Sequence, residues 1–455
     1  MTWLTIGLAV VAGLALLLRW RRPAWYWMAF GVVLATIRVR IRYSSVMDAC
    51  DLTVPASRLR LAVARMFNWP TPRQRVPRLM WIKPTRTGLR LRIKMRPGQD
   101  AFDYSAAVDR LRHAFAVHQV TSREIKPGVI EIATTGYDVL KLVQMPAKVE
   151  RRELRLPVAL CEDGSVHYRD YREVPHSVTL GAVGSGKSVT QRKVIKELAS
   201  QHVALVGIDC KNGVELAPLA RRFSALADNP DDAADLLEAL VVRMDAIYQT
   251  IRRAQRISAD TPDEEITANI WGLPEHLRPV PVVLTVDEIA ELALFTTTAE
   301  KKRRERIIVA LVRLAQLGRA AGIFVDIYGQ RFGSELGDGI TMLRAQLTGR
   351  MAHRVNDESS AKMAFGDVSP HAVFAATQIR NDRPGMAVVG HSNGEWTRIR
   401  TPHTSMREAV TACNKHADLT PDLPELARFR PVVDLDSLEA PATLEPVVEP
   451  VVEAA

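Results

Sequence analysis

Gly181-Ala182-Val183-Gly184-Ser185-Gly186-Lys187-Ser188 is a complete G-x-x-x-x-G-K-[ST] loop. A short apolar stretch, Ser177-Val-Thr-Leu180, precedes it and predicts a strand. A stretch of helical spacing from about Val189 to Ser200 follows. Strand, loop and helix in that order suit a phosphate group. The glycines let backbone N–H groups wrap it, and the helix N-terminus adds the positive end of a dipole. Lys187 can reach the β- and γ-phosphates and Ser188 can hold Mg²⁺.

Further along, Pro281-Val-Val-Leu-Thr-Val-Asp287-Glu288 predicts a buried central strand ending in two carboxylates. Beside a phosphate loop, Asp287 is placed to bind the Mg²⁺ shell and Glu288 to polarise an attacking water. A positioned base favours hydrolysis of a nucleoside triphosphate over simple holding of it.

The net charge of +10 is unevenly distributed. Residues 1–100 carry 18 Lys/Arg against 3 Asp/Glu, residues 101–415 are nearly balanced, and residues 416–455 carry 2 against 9. The basic balance therefore describes the N-terminal quarter and says little about the nucleotide site. Four cysteines (Cys50, Cys161, Cys210 and Cys413) have no C-x-x-C spacing, which fits a reducing compartment without a disulfide framework. The histidines show no ligand spacing, and no transition metal is expected.

The N-terminus predicts membrane contact. Trp3–Leu18 and Ala24–Ile37 are uncharged runs separated by Arg19-Trp-Arg-Arg22-Pro23 and followed by Arg38, Arg40 and Arg42. Each run is shorter than the roughly 20 residues that cross ~30 Å of hydrocarbon, although flanking Trp and Arg can extend it. A two-helix hairpin keeps both termini in the cytoplasm but places three arginines outside. A single span with the second run lying in the interface satisfies the charges but exports the N-terminus. The hairpin is the favoured expectation. Arg58, Arg60, Arg65, Arg73, Arg75 and Arg78 extend the basic cluster, whose partner is anionic lipid or DNA.

Five stretches follow from these patterns: a transmembrane segment at 1–43, a basic juxtamembrane connector at 44–76, and a small β-α-β domain at 77–150. A nucleotide-binding α/β domain occupies 151–403, and 404–455 forms a short helix and an acidic disordered tail. In the small domain, Gly88–Met95 alternates as a strand, Phe102–Val117 has helical spacing, and Gly128–Ala133 is a return strand. In the large domain, strands and helices alternate as in a doubly wound, mainly parallel sheet. One predicted central strand, Gly322–Gln330, ends on a glutamine. The run Lys301-Lys-Arg-Arg-Glu-Arg306 is either a DNA-facing strip or a solvated helix face.

Several strings share a pattern. They are Leu156-Pro-Val-Ala-Leu160, Pro175-His-Ser-Val-Thr-Leu-Gly-Ala-Val-Gly-Ser-Gly-Lys-Ser-Val189, Ile208-Asp-Cys-Lys211 with Glu215, Arg313-Leu-Ala-Gln316 with Arg319-Ala-Ala-Gly322, and Tyr328-Gly-Gln-Arg331. In this order the chain resembles the FtsK/SpoIIIE family of membrane-anchored DNA translocases from about 88 to 400. The resemblance implies a RecA-like P-loop core that assembles as a hexameric ring and pumps double-stranded DNA using ATP. It implies that Gln330 senses the γ-phosphate and that a neighbouring subunit supplies an arginine to each site. Arg350 is the first candidate for that arginine, with Arg319, Arg380 and Arg383 behind it.

The chain departs from long-linker family members in having at most two membrane helices, a short spacer and an acidic end. Its compact plan looks more like the transfer proteins of actinomycete conjugative plasmids and integrative elements. The expectation is an ATP-dependent double-stranded DNA translocase at the cytoplasmic membrane, acting in conjugal transfer or chromosome segregation. The rival is an ATPase of the same superfamily that drives protein secretion.

Overall fold

A computed structural model describes residues 2–432 except 57–62, 65, 70–73, 256–260, 263–265, 367, 392 and 393. Arg58, Arg60, Arg65 and Arg73 of the expected basic cluster, and positions 433–455 of the expected tail, lie outside the described residues.

Helix α1 (Thr2–Arg21) is followed by α2 (Pro23–Ala49), which contains a π-helical turn at Trp27–Gly31. Arg22 breaks the helical path with φ −140° and ψ 69°, and Pro23 takes the first position of α2, where its missing N–H costs nothing. Among the described residues, α2 is long and apolar enough to cross a membrane by length and composition. One side of it is nevertheless buried in protein, through Trp27, Val39, Tyr43, Val46 and Met47.

Those side chains pack on a four-stranded sheet in the order β1-β2-β4-β3, all neighbours antiparallel. The strands are β1 (Arg78–Pro84), β2 (Gly88–Lys94), β3 (Gln119–Lys126) and β4 (Val129–Thr135). Helices α3 (Ala101–Ala106) and α4 (Val108–Phe115) join β2 to β3 and bury Tyr104, Leu111 and Phe115. The expected β-α-β unit is corrected by two strands, β1 and β3. Both are edges with a largely solvated pattern, and each carries a register shift, so neither shows the strict alternation of a half-buried strand.

The second sheet has ten strands, in the order β6-β5-β14-β13-β12-β7-β11-β10-β8-β9. Six of them run parallel: β12 (Gly349–His353), β7 (His176–Leu180), β11 (Ile323–Gly329), β10 (Val282–Val286), β8 (Ala204–Ile208) and β9 (Phe223–Ala227). An antiparallel extension adds β13 (Met386–Gly390), β14 (Trp396–Arg400), β5 (Arg155–Cys161) and β6 (Val166–Asp170).

Both faces of the parallel part are covered, which is why its strands read as continuous apolar runs. Alternation within a strand divides them. Ile323, Val325 and Ile327 join the core beneath α6 (Pro230–Ala254) and α7 (Thr298–Leu317). Phe324 points the other way, into the layer formed by α5 (Lys187–Leu198) and α8 (Met406–Lys415). Helix α7 buries Ile307, Ile308, Leu311, Leu314 and Ala315, the spacing of one helical stripe.

Two further expectations change. Residues 417–432, placed in a disordered tail, form two 3₁₀ turns whose Leu423, Leu426 and Phe429 enter the core beneath α6. The composition hid this because three apolar side chains suffice to seat the segment. In the 301–306 run, Arg303 pairs with Asp231, Arg306 pairs with Asp235 and Glu238, and buried Arg304 donates to the carbonyls of Leu336 and Asp338. Two of the five basic side chains are thus paired with carboxylates and a third is buried, and among the described residues Lys301 and Lys302 stand exposed for a DNA-facing role.

Candidate functional site

Parallel pairing brings the C-terminal ends of β7, β8, β10, β11 and β12 to one edge of the sheet, where α/β folds bind ligands. The loop at 181–188 leaves β7 there and turns into α5. Gly184 and Gly186 have φ of 71° and 105°, which L-residues with a side chain rarely adopt. Beyond conformation, Gly186 leaves no room: a Cβ on it would stand 2.3 Å from the Gly385 nitrogen. Gly181 N donates to Gly329 O (3.1 Å), Ala182 N to Arg354 O (2.9 Å), and Gly385 N to Ser185 O (2.9 Å). The cradle is thus held by β11, by the end of β12 and by the approach to β13.

Asp287 and Glu288 emerge from β10, and β11 lies between that strand and β7. The two carboxylates are buried, at 1% and 5% exposure. Lys187 Nζ lies 2.8 Å from Glu288 Oε2, and the Gln330 backbone N–H donates to Glu288 Oε1 at 3.1 Å. Lys211, on the loop after β8, reaches both carboxylates: 3.1 Å to Asp287 Oδ2 and 3.4 Å to Glu288 Oε2. Two ammonium groups therefore face two carboxylates at the loop.

Burial pushes the Asp287 carboxyl above its ordinary range, and Lys211 and Lys187 oppose that shift. For Lys211 the balance runs the other way. Burial disfavours its charge, but the attraction of Asp287 and Glu288 wins and raises its pKa.

Asp287 Oδ1 and Ser185 Oγ are buried without a hydrogen-bond partner among the described residues. Buried oxygens left in that state are costly unless a ligand completes them. The pattern fits Mg²⁺ at Asp287 and a phosphate oxygen at Ser185. The anchoring around the loop is polar as well: Thr190 contacts His353 Nε2 (3.1 Å), and Gln191 Nε2 donates to Thr285 Oγ1 (3.0 Å).

The FtsK/SpoIIIE family matches residues 139–334, and the actinomycete conjugal transfer protein N-terminal domain matches residues 14–136. The transfer protein TraSA of Streptomyces ambofaciens is 69% identical over 397 residues, covering 87% of this chain and 96% of that protein. The chain belongs to the FtsK/SpoIIIE family.

Within that family, the DNA translocase FtsK of Staphylococcus aureus is 26% identical over 250 residues, covering 53% of this chain but only 30% of the translocase. The fold is shared with the pCW3 conjugation coupling protein TcpA, in a monomer form with ATPγS. The TM-score there is 0.54 at 17% identity, covering 79% of this chain and 98% of that one. This FtsK/SpoIIIE-family chain is a P-loop ATPase.

Of the sequence-predicted residues, Lys187, Glu288, Asp287 and the Gln330 backbone come together at the loop. The Gln330 side chain is exposed, and Ser188 sits at the start of α5. Arg350 does not fit the role first given to it. It lies in β12 at 7% exposure, and its guanidinium donates to Arg344 O at 2.7 Å. A guanidinium buried and bonded within its own chain is a poor candidate for the arginine of a neighbouring subunit. Arg319 and Arg380 are exposed, and Arg383 pairs with Asp138 at 2.6 Å. Sequence reasoning left two residues without a role: Lys211, although it stands in the Ile208-Asp-Cys-Lys211 string, and His353. Gly385 carried no signal, because its contact with the loop joins positions some two hundred residues apart.

Proposed function

We propose that this FtsK/SpoIIIE-family ATPase is a membrane-associated motor that moves double-stranded DNA in conjugal transfer. The observation that carries the reading is Glu288, fixed at one oxygen by the Gln330 amide and paired at the other with Lys187. Such a carboxylate is oriented for base work but engaged until a phosphate draws the lysine away. Likeness to TraSA supports transfer as the task, and likeness to FtsK supports DNA as the substrate.

In this reading the backbone amides of 181–188 and the N-terminus of α5 hold the phosphates of ATP, and Lys187 leaves Glu288 for the β- and γ-phosphates. Glu288 Oε2, left with only the longer Lys211 contact at 3.4 Å, takes the proton of the attacking water while Oε1 stays on the Gln330 amide. Ser188 and Asp287 would hold Mg²⁺, which supplies charge neutralisation on the phosphates when bound. Gln330 joins the base to the tip of β11, so a change at the γ-phosphate is transmitted into the central sheet. Ring assembly with an arginine supplied from the next subunit completes the proposal, and exposed Arg319 and Arg380 are its candidates. DNA would be gripped through phosphates, so binding weakens steeply as salt rises.

The test is the ATPase rate of the full chain in detergent, with and without linear duplex DNA at low salt. Stimulation that disappears in Lys187→Ala is expected. A rate indifferent to DNA overturns the translocase reading and favours a polypeptide substrate.

A further inference from the structure

We propose that α2 lies in the plane of the cytoplasmic membrane interface with its outer face on anionic lipid, and that α1 is the single span. The inference rests on the membrane association proposed above and assigns the two apolar segments different roles.

The inner side of α2 is occupied along most of its length. Tyr43 Oη donates to Pro77 O (3.1 Å) just before β1, and Trp27 Nε1 donates to Thr85 O (3.3 Å) just after it. The helix between them covers ~24 Å, the length of a seven-residue strand, ~23 Å. Helix α2 therefore runs antiparallel to β1 from end to end. The Trp27 ring is seated closely enough that a Cβ on Gly136 would fall 2.1 Å from it.

If Ala24–Ile37 crossed the bilayer, it would carry the β1–β2 turn into hydrocarbon. That turn holds exposed Arg86 and is tied by Thr87 Oγ1 to Asp163 O at 2.6 Å. Irregular backbone and a charged side chain do not enter lipid in that way.

The outer side has the composition of an interfacial helix. Val33, Leu34, Ile37 and Ile41 are 50–77% exposed and share one stripe by their i, i+4 and i+8 spacing. At 100° per residue, Arg38 and Arg40 fall on opposite flanks of that stripe, and Arg42 lies beyond Arg38. An exposed apolar strip bordered by arginines matches the headgroup boundary of an anionic leaflet, with the guanidinium groups at the phosphates.

Helix α1 completes the arrangement. Its uncharged run, Trp3–Leu18, covers ~24 Å, and Trp20 with snorkelling Arg19 and Arg21 extends the helix of 20 residues toward the ~30 Å of hydrocarbon. Arg19, Arg21 and Arg22 then mark its cytoplasmic end, as the positive-inside rule requires, and its N-terminal end faces outward. The hairpin expected from the sequence placed these same arginines outside.

The experiment uses the full chain in phosphatidylcholine vesicles with and without phosphatidylglycerol. Flotation with the vesicles first establishes membrane association; failure to float removes that underlying reading and this one with it. In floated protein, Ile37→Cys carries an NBD fluorophore that is quenched by lipids brominated at successive depths. The expected maximum lies ~5–10 Å below the headgroups. Part of the quenching is lost without phosphatidylglycerol or in Arg38→Gln/Arg40→Gln/Arg42→Gln. A maximum at the midplane means that α2 spans, and emission characteristic of water means that its face is undocked. Either result overturns the proposal. In spheroplasts, Thr2→Cys should react with an impermeant maleimide from outside; reaction only after lysis overturns the single-span arrangement.

Discussion

Lys187 of the phosphate loop lies 2.8 Å from Oε2 of Glu288, 101 residues further along the chain. Both side chains are nearly closed to solvent, at 9% and 3% exposure. The lysine proposed to meet phosphate and the carboxylate proposed to meet water neutralise each other in this pair. In the proposed mechanism phosphate entry would replace this pair with a Lys187–phosphate pair and leave Lys211 as the cation facing Glu288.

Replacing the base separates binding from hydrolysis. Glu288→Gln keeps the acceptor for the Gln330 amide and releases Lys187. A fluorescent ATP analogue should bind at least as tightly as in the parent, while hydrolysis slows at least ~100-fold. Equal losses in binding and turnover would show that Glu288 shapes the loop instead of serving the water.

Lys211 has a different signature. Its ammonium is the second cation facing Asp287 and Glu288, so Lys211→Met leaves the carboxylates with Lys187 alone. The nucleotide-free chain should lose thermal stability, and Mg²⁺ with ADP should restore more of it than they add to the parent. An unchanged melting temperature in both states would remove Lys211 from the electrostatic balance of the site.

At the turn into α5, Gly186→Ala forces a side chain into left-handed backbone and against the Gly385 nitrogen. Backbone strain of this kind costs ~1–3 kcal/mol, and the displaced loop should also lose nucleotide affinity. Calorimetry with and without ADP separates the two effects.

Burial lowers the His353 pKa to about 4, and proximity to Lys187 adds to the shift while the Met386 carbonyl opposes it. The unfolded chain binds this proton below its ordinary pKa of about 6.5, whereas the folded chain stays neutral until about pH 4. Stability is therefore fully present above that ordinary value and falls as the pH drops toward 4. Unfolding free energies of the parent and His353→Gln should differ in pH slope over this window by up to ~1.4 kcal/mol per pH unit. Parallel slopes would mean that His353 is solvated in solution.

Arg350 distinguishes a packed residue from a partner's catalytic cation. Arg350→Met should lower the melting temperature while folded protein keeps most of its ATPase rate. A catalytic arginine would show the opposite, intact stability with a rate reduced by orders of magnitude.

The sequence alone determined the nucleotide chemistry and the class of core. Phosphate binding needs particular residues at contiguous positions, and doubly covered parallel strands need uninterrupted apolar runs, so both survive in one dimension. Lys187, Ser188, Asp287 and Glu288 could be named in this way. The edge strands β1 and β3 could not, because a largely solvated edge with a register shift leaves no alternation, and the core contacts of Leu423, Leu426 and Phe429 were masked by their acidic surroundings.

Only the tertiary structure decided which charges meet. It inserted β11 between the loop strand and the carboxylate strand, carried Lys211 to Asp287, and brought Gly385 against Gly186. It withdrew Arg350 into the sheet and seated Trp27 on the small sheet's end. These outcomes depend on strand order and on packing between distant segments. Such long-range geometry is set by the closure of a shared core, and no local run of residues encodes it.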